Sequence, residues 1–177
     1  FLEVDSEPLP SLLRDFSAPV VLELERSVSE NLRVWSLETD DFNRYELGQK
    51  IMFMEIQHGL EGKAFDGRFL QAMRQMLEQP MEHAIKAEML SLPSLNRLLE
   101  EQSVYDPSAV QKVKIQLKKE LADFCRDELI SVYQRLSKPK DTAMTSIDMG
   151  RRKLKNTCLD LLCSINDAEV WALASEQ

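Results

Sequence analysis

The two histidines of this sequence are the first residues to test for chemistry. A hydrolytic zinc site needs two histidines one helical turn apart, with a glutamate between them as general base. His58 and His83 are 25 residues apart, and neither is followed by Glu-x-x-His. We therefore assign no catalytic, cofactor-binding or metal-binding residue, and we expect this chain to hold no cofactor.

A second metal pattern begins at Glu55. Glu55 and His58 have the Glu-x-x-His spacing of one half of a carboxylate-bridged di-iron site on a helix. Such a site needs a second half and two further glutamates, but Glu82 and His83 are adjacent. We therefore interpret Glu55 and His58 as a helix-surface pair ahead of Gly59.

The three cysteines, Cys125, Cys158 and Cys163, form neither an even set nor a metal-binding spacing. We interpret them as small buried thiols in a reducing compartment, which indicates a cytoplasmic protein without a disulfide framework. A cysteine nucleophile needs a histidine partner, and no local motif supports one. The glycine-rich phosphate loops and the Gly-x-Ser-x-Gly motif are absent from the sequence.

The charge of the chain argues against one class of partner. Its 177 residues carry a formal net charge of -8, whereas nucleic-acid binding relies on clustered Lys and Arg. We interpret the densest basic cluster as the solvated face of a helix. No apolar run approaches the ~20 residues that cross a bilayer, so we expect neither nucleic acid nor a membrane as partner. The basic cluster consists of Arg151, Arg152, Lys153 and Lys155.

Residues 1–26 differ in pattern from the rest of the chain. Their three prolines exclude a continuous helix, and the alternation from Val20 to Glu25 predicts a strand with one buried face. Phe1 to Val4 supplies one short partner strand at most, and two strands do not make a stable sheet. We expect the missing strands before Phe1, in a longer polypeptide, since the chain begins without Met and without a basic signal-peptide region.

Residues 27–177 have the pattern of helices joined by short loops. Asp106 and Pro107 open the longest pattern, an apolar stripe of about 30 residues, or ~45 Å, with Glu128 as its one polar member. We predict a seventh helix over Ser146 to Ile165 and an eighth capped by Asn166. The start signals of the first five helices are Ser29, Asp40, Asp66, Pro80 and Ser94.

This alternation of helix and loop predicts the fold class. We expect a mainly α protein, an array of antiparallel helices of superhelical or solenoid-like form, preceded by one or two β-strands. A cluster of five methionines either fills gaps in the helical core, which we favour, or lines a groove for varied peptides. These methionines are Met52, Met54, Met73, Met76 and Met81.

Five short motifs carry a resemblance to the aminopeptidase N family. Ser-Leu-Leu-Arg-Asp-Phe-Ser-Ala-Pro-Val at 11–20 resembles the junction between the family's β-sandwich and its C-terminal helical domain. Asp-Phe-Asn-Arg-Tyr-Glu at 41–46 is similar to Asp-Phe-x-Arg-Trp-Asp/Glu, and 87–94 to Ala-Glu-x-Leu-x-Leu-Pro-Ser. Asp-Pro at 106–107 resembles the opening of a long helix, and 152–159 resembles Arg-x-Leu-Arg-Asn-x-Cys-Leu. The motifs follow the family's order.

The resemblance to these zinc gluzincin alanyl aminopeptidases implies a domain division and a role. Residues 1–26 would be the last strands of a β-sandwich, and 27–177 the first part of the helical C-terminal domain. The parent enzyme would use zinc to remove N-terminal residues from peptides, with motifs that match no residue here. This chain would be a non-catalytic segment that encloses the active-site cleft and limits access. Its implied partners are the catalytic domain of the same polypeptide and the parent's peptide substrates.

Two other interpretations stay open. An independent helical adaptor would bind a partner through a concave array, although such a protein typically begins with a capping helix rather than a stranded segment. A diverged relative of the peptidase would keep the scaffold without the chemistry. If the chain is a cut domain, an open strand edge and apolar helix faces are exposed, so we expect the isolated chain to self-associate.

Overall fold

The structure, a computed structural model, describes residues 8–17, 20, 24–100, 106–137 and 145–175. Within these ranges a short 3-10 turn precedes an array of α-helices, so the mainly α prediction is confirmed. The 3-10 turn is Arg14–Phe16, and the helices are α1 (Val28–Leu37), α2 (Asp41–Leu60), α3 (Gly67–Glu78), α4 (His83–Leu90), α5 (Leu95–Glu100), α6 (Pro107–Phe124), α7 (Arg126–Ser137), α8 (Ser146–Leu162) and α9 (Ala168–Ser175).

Four of the predicted helix starts are confirmed. In each, a side-chain oxygen accepts a hydrogen bond of 2.8 to 3.2 Å from a backbone N–H of the first turn, which satisfies one of the donors that a helix start leaves without a partner. These N-caps are Asp40 at α2, Asp66 at α3, Ser94 at α5 and Asp106 at α6.

Two predicted caps are displaced by one or two residues. Ser27, not Ser29, caps α1, because Ser27 and Glu30 form a reciprocal capping box: Ser27 Oγ accepts the Glu30 N–H, and Glu30 Oε2 accepts the Ser27 N–H. Asp167, not Asn166, caps α9, since its Oδ1 accepts a backbone N–H at 2.8 Å. At α1 the Glu30 carboxylate bonds back to the Ser27 N–H, and at α9 a carboxylate replaces the predicted amide as the acceptor.

Helix α4 begins at His83, so the prediction that Pro80 lies in its first turn is wrong. The buried amine of Lys86 explains the later start. Its Nζ donates to the carbonyl oxygens of Leu77 at 2.8 Å and Gln79 at 2.6 Å. These bonds close the end of α3 and leave Gln79 extended, with ψ at 141°, so a short linker separates the two helices.

The single long helix predicted after Asp106 is two helices, α6 and α7, that meet at Cys125. Cys125 has φ −102° and ψ 18°, which departs from helical values. The chain stays bonded through the bend: Cys125 N–H donates to Leu121 O at 3.0 Å, and Cys125 O accepts the Leu129 N–H at 2.9 Å. The bend directs α7 toward both α3 and α8. Glu128, the polar member of the stripe, accepts Arg74 Nε of α3 at 2.6 Å.

One continuous apolar core runs through the array. Helix α8 packs against α4, α6, α7 and α9, and its Leu154, Cys158 and Leu162 are fully buried. Gly150 permits the close approach to α4, because a Cβ there would lie 3.0 Å from the backbone nitrogen of Ala84. None of the helices in the described ranges is long and apolar enough to cross a membrane.

The methionine cluster belongs mainly to this core. Met52, Met73 and Met76 are each 1% exposed and pack among the helices, so the core interpretation is confirmed for these three. Met81 is half-buried against the same cluster. Met54 is also half-buried, but it lines a surface groove instead.

The predicted N-terminal strands are not confirmed. Val21 to Glu23 and Phe1 to Val4 lie outside the described residues, and none of the described residues forms a strand. Val20 is 58% exposed, which does not fit the predicted buried face at that position. The strand over Val20 to Glu25 stays a prediction.

Candidate functional site

The pair formed by Glu55 and His58 lies at the turn from α2 into α3. Glu55 is fully buried, so the surface interpretation is wrong for this residue. Its Oε2 accepts the Asp66 N–H at 2.7 Å, and its Oε1 lies 3.9 Å from His58 Nδ1. The carboxylate therefore fixes the backbone that enters α3.

The environment of Glu55 does not fit a zinc site. Burial raises the pKa of Glu55 and outweighs the lowering by the Asp66 N–H. The Asp66 carboxylate is already engaged, since it caps α3 and pairs with Arg68 Nη2 at 2.5 Å. Among the residues that the structure describes, no group of three or more His, Cys, Asp or Glu is placed to hold a metal. The described residues at this turn therefore do not provide a set of ligands for zinc.

Two of the three cysteines are structural. Cys125 and Cys158 are buried, and desolvation raises the pKa of each thiol to about 12. Both therefore stay protonated at neutral pH and do not act as nucleophiles. Cys163 is exposed, so its interpretation as a buried thiol is wrong: it follows the last turn of α8 and lies outside the core.

The basic cluster on α8 does more than face solvent. Lys153 pairs with Glu88 of α4, and Arg151 Nη1 donates to the carbonyl oxygen of Leu136 at 3.0 Å. Lys155 Nζ lies 5.6 Å from the centre of the Tyr133 ring, a cation–π contact with α7. These cations hold α8 against its neighbours, which gives them an internal role that the solvated-face interpretation lacks.

A groove of about 1230 Å³ lies between the first described residues of the chain and the helices α1, α2 and α5. Its apolar lining includes two aromatic side chains of α2, Phe42 and Phe53. Two exposed apolar residues of the N-terminal region, Leu12 and Val20, lie on its edge. Of the five clustered methionines, Met54 is the one that also lines this groove, so the alternative groove interpretation applies to that residue alone.

The charged groups on the edge of the groove are mostly paired within the chain. Arg97 Nη2 of α5 bonds Glu46 Oε2 of α2 at 3.0 Å. Lys50 Nζ donates to the carbonyl oxygen of Leu24 at 2.9 Å. These paired charges surround an apolar surface, which suits packing against another protein. The two pairs provide no group that is placed for proton transfer.

One end of the groove is closed by residues 8–17, which we call the N-terminal segment. This segment contacts the corner between α1 and α2 through the buried carboxylate of Glu38. Glu38 accepts a hydrogen bond from Ser11 Oγ, and it also accepts the backbone N–H groups of Thr39 at 2.8 Å and Asp40 at 2.9 Å. Arg14 Nε lies 3.6 Å from its Oε1.

The first turn of α2 adds further contacts to the N-terminal segment. Asp40 Oδ2 accepts the Asp15 N–H at 3.1 Å, while its Oδ1 caps α2 at the Asn43 N–H. Asn43 Nδ2 donates to Leu12 O at 2.9 Å, and Arg14 Nη2 donates to the Thr39 hydroxyl at 2.5 Å. Helix-capping groups thus bind the segment as well as the helix.

Comparison with known proteins shows which family this helical array belongs to. A family profile described as "Domain of unknown function (DUF3458_C) ARM repeats" matches residues 29–177. The chain belongs to this family. The ARM-repeat description agrees with the helical array.

Curated relatives of this DUF3458_C chain are aminopeptidases. It is 30% identical over 169 residues to aminopeptidase N of Escherichia coli, covering 92% of this chain and 19% of that protein. Aminopeptidase N of Caulobacter vibrioides is 28% identical over 170 residues, covering 94% of this chain and 20% of the relative. The chain therefore spans about a fifth of the length of the relatives it matches, and it is homologous to their helical C-terminal domain.

A solved structure supports the fold of this DUF3458_C chain. The crystal structure of Legionella pneumophila aminopeptidase A in complex with aspartic acid matches with a TM-score of 0.84. The match covers 100% of this chain and 22% of that one, at 24% sequence identity. The resemblance read from the sequence motifs is confirmed as homology to the helical domain, whereas the β-sandwich junction read from residues 11–20 stays a prediction. The position of the groove and the Glu38 contacts were not predicted.

Proposed function

We propose that this chain is a non-catalytic helical part of a zinc metallo-aminopeptidase, and that it encloses the active-site cleft of that enzyme and limits access to it. The alignment with aminopeptidase N over 169 residues carries the proposal. The matched region holds no His-Glu-x-x-His motif, so the catalytic groups of such an enzyme would come from elsewhere in the polypeptide.

The groove face supports a role in packing against another part of the same polypeptide. Phe42 and Leu12 are 43% and 42% exposed there, and the charges around them are paired internally. Exposed apolar groups gain from being covered by a second domain, and Arg97 and Glu46 would be covered as a pair and not as separate charges. We infer that the catalytic domain is this partner and that peptides are the substrates of the whole.

The first experiment compares the natural polypeptide that contains this sequence with the 177-residue chain. Both are assayed with an aminoacyl anilide and with a longer peptide, before and after chelation and zinc restoration. We expect chelator-sensitive release of N-terminal residues by the natural polypeptide and none by the chain alone. Activity in the pure chain would overturn the proposal, and so would a natural polypeptide that lacks peptidase activity under all conditions.

A second experiment tests the packing and access role. Phe42→Asp introduces a charge on the groove face of the natural polypeptide, and Ile147→Asp, at a residue 75% exposed on α8, is the matched control. We expect Phe42→Asp to change KM for long peptides more than for the anilide and to lower the melting temperature. Equal behaviour of the two variants would contradict the assignment of the groove face.

The ARM-repeat description also favours the alternative function, an adaptor that binds a partner protein without enzymatic activity. A natural polypeptide without a zinc motif would select this alternative. In either case we propose that the isolated chain self-associates through its exposed apolar faces. Light scattering over a concentration series tests this, and a strictly monomeric chain would contradict it.

A further inference from the structure

Glu38 lies where three parts of the molecule meet: the N-terminal segment, the end of α1 and the start of α2. We propose that Glu38 is the centre of a latch that fixes the N-terminal segment to the α1–α2 corner, so that the segment and the first turn of α2 become ordered together. The latch sets the direction in which the chain enters the helical array.

The burial and bonding of Glu38 carry the first step. Its side chain is 3% exposed, and a carboxylate buried to that degree is costly unless hydrogen-bond donors surround it. Two donors, the N–H groups of Thr39 and Asp40, are local and would persist without the segment. A third donor, the Ser11 hydroxyl, comes from the segment, and the Arg14 guanidinium of the segment adds an ion pair at 3.6 Å, so the carboxylate has all of these partners only when the segment is docked.

The second step is the coupling to α2. Asp40 uses one carboxylate oxygen to cap α2 and the other to hold the Asp15 N–H. Asn43, whose N–H is capped, donates its side-chain amide to Leu12 O at 2.9 Å. Detaching the segment therefore removes partners from the same residues that start the helix, and the two regions gain order cooperatively.

The third step is the backbone of the segment itself. Leu13 and Asp15 have φ values of 58° and 56°, in the left-handed region that residues with a Cβ seldom adopt. Such residues persist where the surrounding contacts over-determine the backbone. The bonds at Ser11, Leu12 and Arg14 flank these two positions and supply that constraint.

The test is hydrogen exchange on the whole chain with Glu38→Gln. Glutamine keeps the size of the side chain but has one acceptor oxygen and no charge, so the bonds from Ser11 and Arg14 are lost or weakened. Hydrogen bonds to charged groups typically contribute about 1.5–3 kcal/mol, which corresponds to about a tenfold or larger increase in exchange rate. We expect this increase in amides of 11–17 and of the first turn of α2, with α8 unchanged.

Two further variants sharpen the measurement. Glu82→Gln is the matched control, because Glu82 precedes α4 without a side-chain capping bond, and we expect it to leave exchange unchanged. Asp15→Gly relieves the left-handed backbone strain while keeping the N–H that Asp40 accepts, so we expect the segment to keep its protection.

Three outcomes of the Glu38→Gln experiment decide the matter. Faster exchange confined to the segment and the start of α2 supports the latch. Unchanged exchange overturns it, and so does a uniform increase that includes α8, since that would show a general stability role. The measurement needs no enzymatic activity, so its result stands apart from the test of the proposed function.

Discussion

Two buried glutamates occupy comparable corners of this molecule and behave in opposite ways. Glu38 closes the corner between α1 and α2, and Glu55 lies at the corner between α2 and α3. Glu38 has three hydrogen-bond donors and a nearby guanidinium, whereas Glu55 accepts one backbone N–H and its Oε1 is without a hydrogen-bond partner among the described residues.

The pKa values of the two glutamates shift in opposite directions. Burial acts to raise the pKa of both. At Glu38 the bonds from Ser11, Asp40 N–H and Thr39 N–H outweigh burial and hold the pKa below its usual range. At Glu55 burial prevails over the bond from Asp66 N–H and the pKa is raised. The comparison teaches that burial and hydrogen-bond donors together decide which carboxylate stabilises the fold at neutral pH.

The largest expected difference between the two corners is steric. Gly59, at the α2–α3 corner, would place a Cβ 2.4 Å from Val113 Cγ1 and 3.1 Å from Phe65 Cε1. Gly59→Ala should therefore lower the free energy of unfolding by about 2 kcal/mol through overpacking. A Cβ at Gly48, where α1 and α2 pack together, would lie nearest to the Trp35 side chain, with Nε1 at 3.2 Å.

Urea denaturation checks this prediction. Gly48→Ala should be close to neutral, because the gain in helix propensity of about 1 kcal/mol offsets a mild contact. Gly67→Ala, where no atom lies within 4 Å of the new Cβ, is the control for propensity alone. A Gly59→Ala variant as stable as Gly67→Ala would show that the α2–α3 corner is not tightly packed.

A smaller effect, a loss of stability on acidification, is expected at the α1–α2 corner. Because the folded-state pKa of Glu38 lies below the ordinary value of 4.5, its contribution to stability is present above about pH 4.5 and is lost as the pH falls through the folded-state pKa. Exchange of the segment's amides, corrected for intrinsic rates, should accelerate over that window in the natural sequence. Glu38→Gln should already exchange fast and should lose most of this pH dependence. The remainder would come from Asp40, whose pKa is also lowered by the N–H groups of Asn43 and Asp15, and an undiminished dependence would contradict the prediction.

The smallest expected effect is the pH dependence of stability that comes from Glu55, and its sign is opposite to that of Glu38. A raised folded-state pKa means that the favourable contribution exists below about pH 4.5, the ordinary value, and is lost as the pH rises through the folded-state pKa. Glu55→Gln should flatten this decline and leave the protein at least as stable at pH 7, since the amide oxygen still accepts the Asp66 N–H. Thermal melts at pH 4, 5.5 and 7 measure it, and a strongly destabilised variant at pH 7 would contradict it.

The sequence predicted the helices best where the signal was local. Asp40, Asp66 and Asp106 were correctly identified as caps because a capping bond spans two or three residues. The bend at Cys125 was missed, because the apolar stripe continues through it and the cause is contact with helices distant in sequence.

The candidate site was beyond the reach of such patterns. Ser11 and Glu38 are 27 residues apart, and Leu12 and Asn43 are 31 apart, so no periodicity joins them. Glu55 was predicted to lie at the surface because a charged side chain is seldom buried, yet it is fully buried and accepts the Asp66 N–H.

By itself, the sequence determined the helical class, most helix starts, the absence of a zinc motif in these residues and the resemblance to the helical domain of aminopeptidase N. These depend on residue type and short spacing. Only the tertiary structure decided which carboxylates are buried, which donors serve them, where the long helix bends and where the groove lies. The reason is physical: solvation and hydrogen-bond satisfaction depend on residues that are distant in the sequence and that folding brings together.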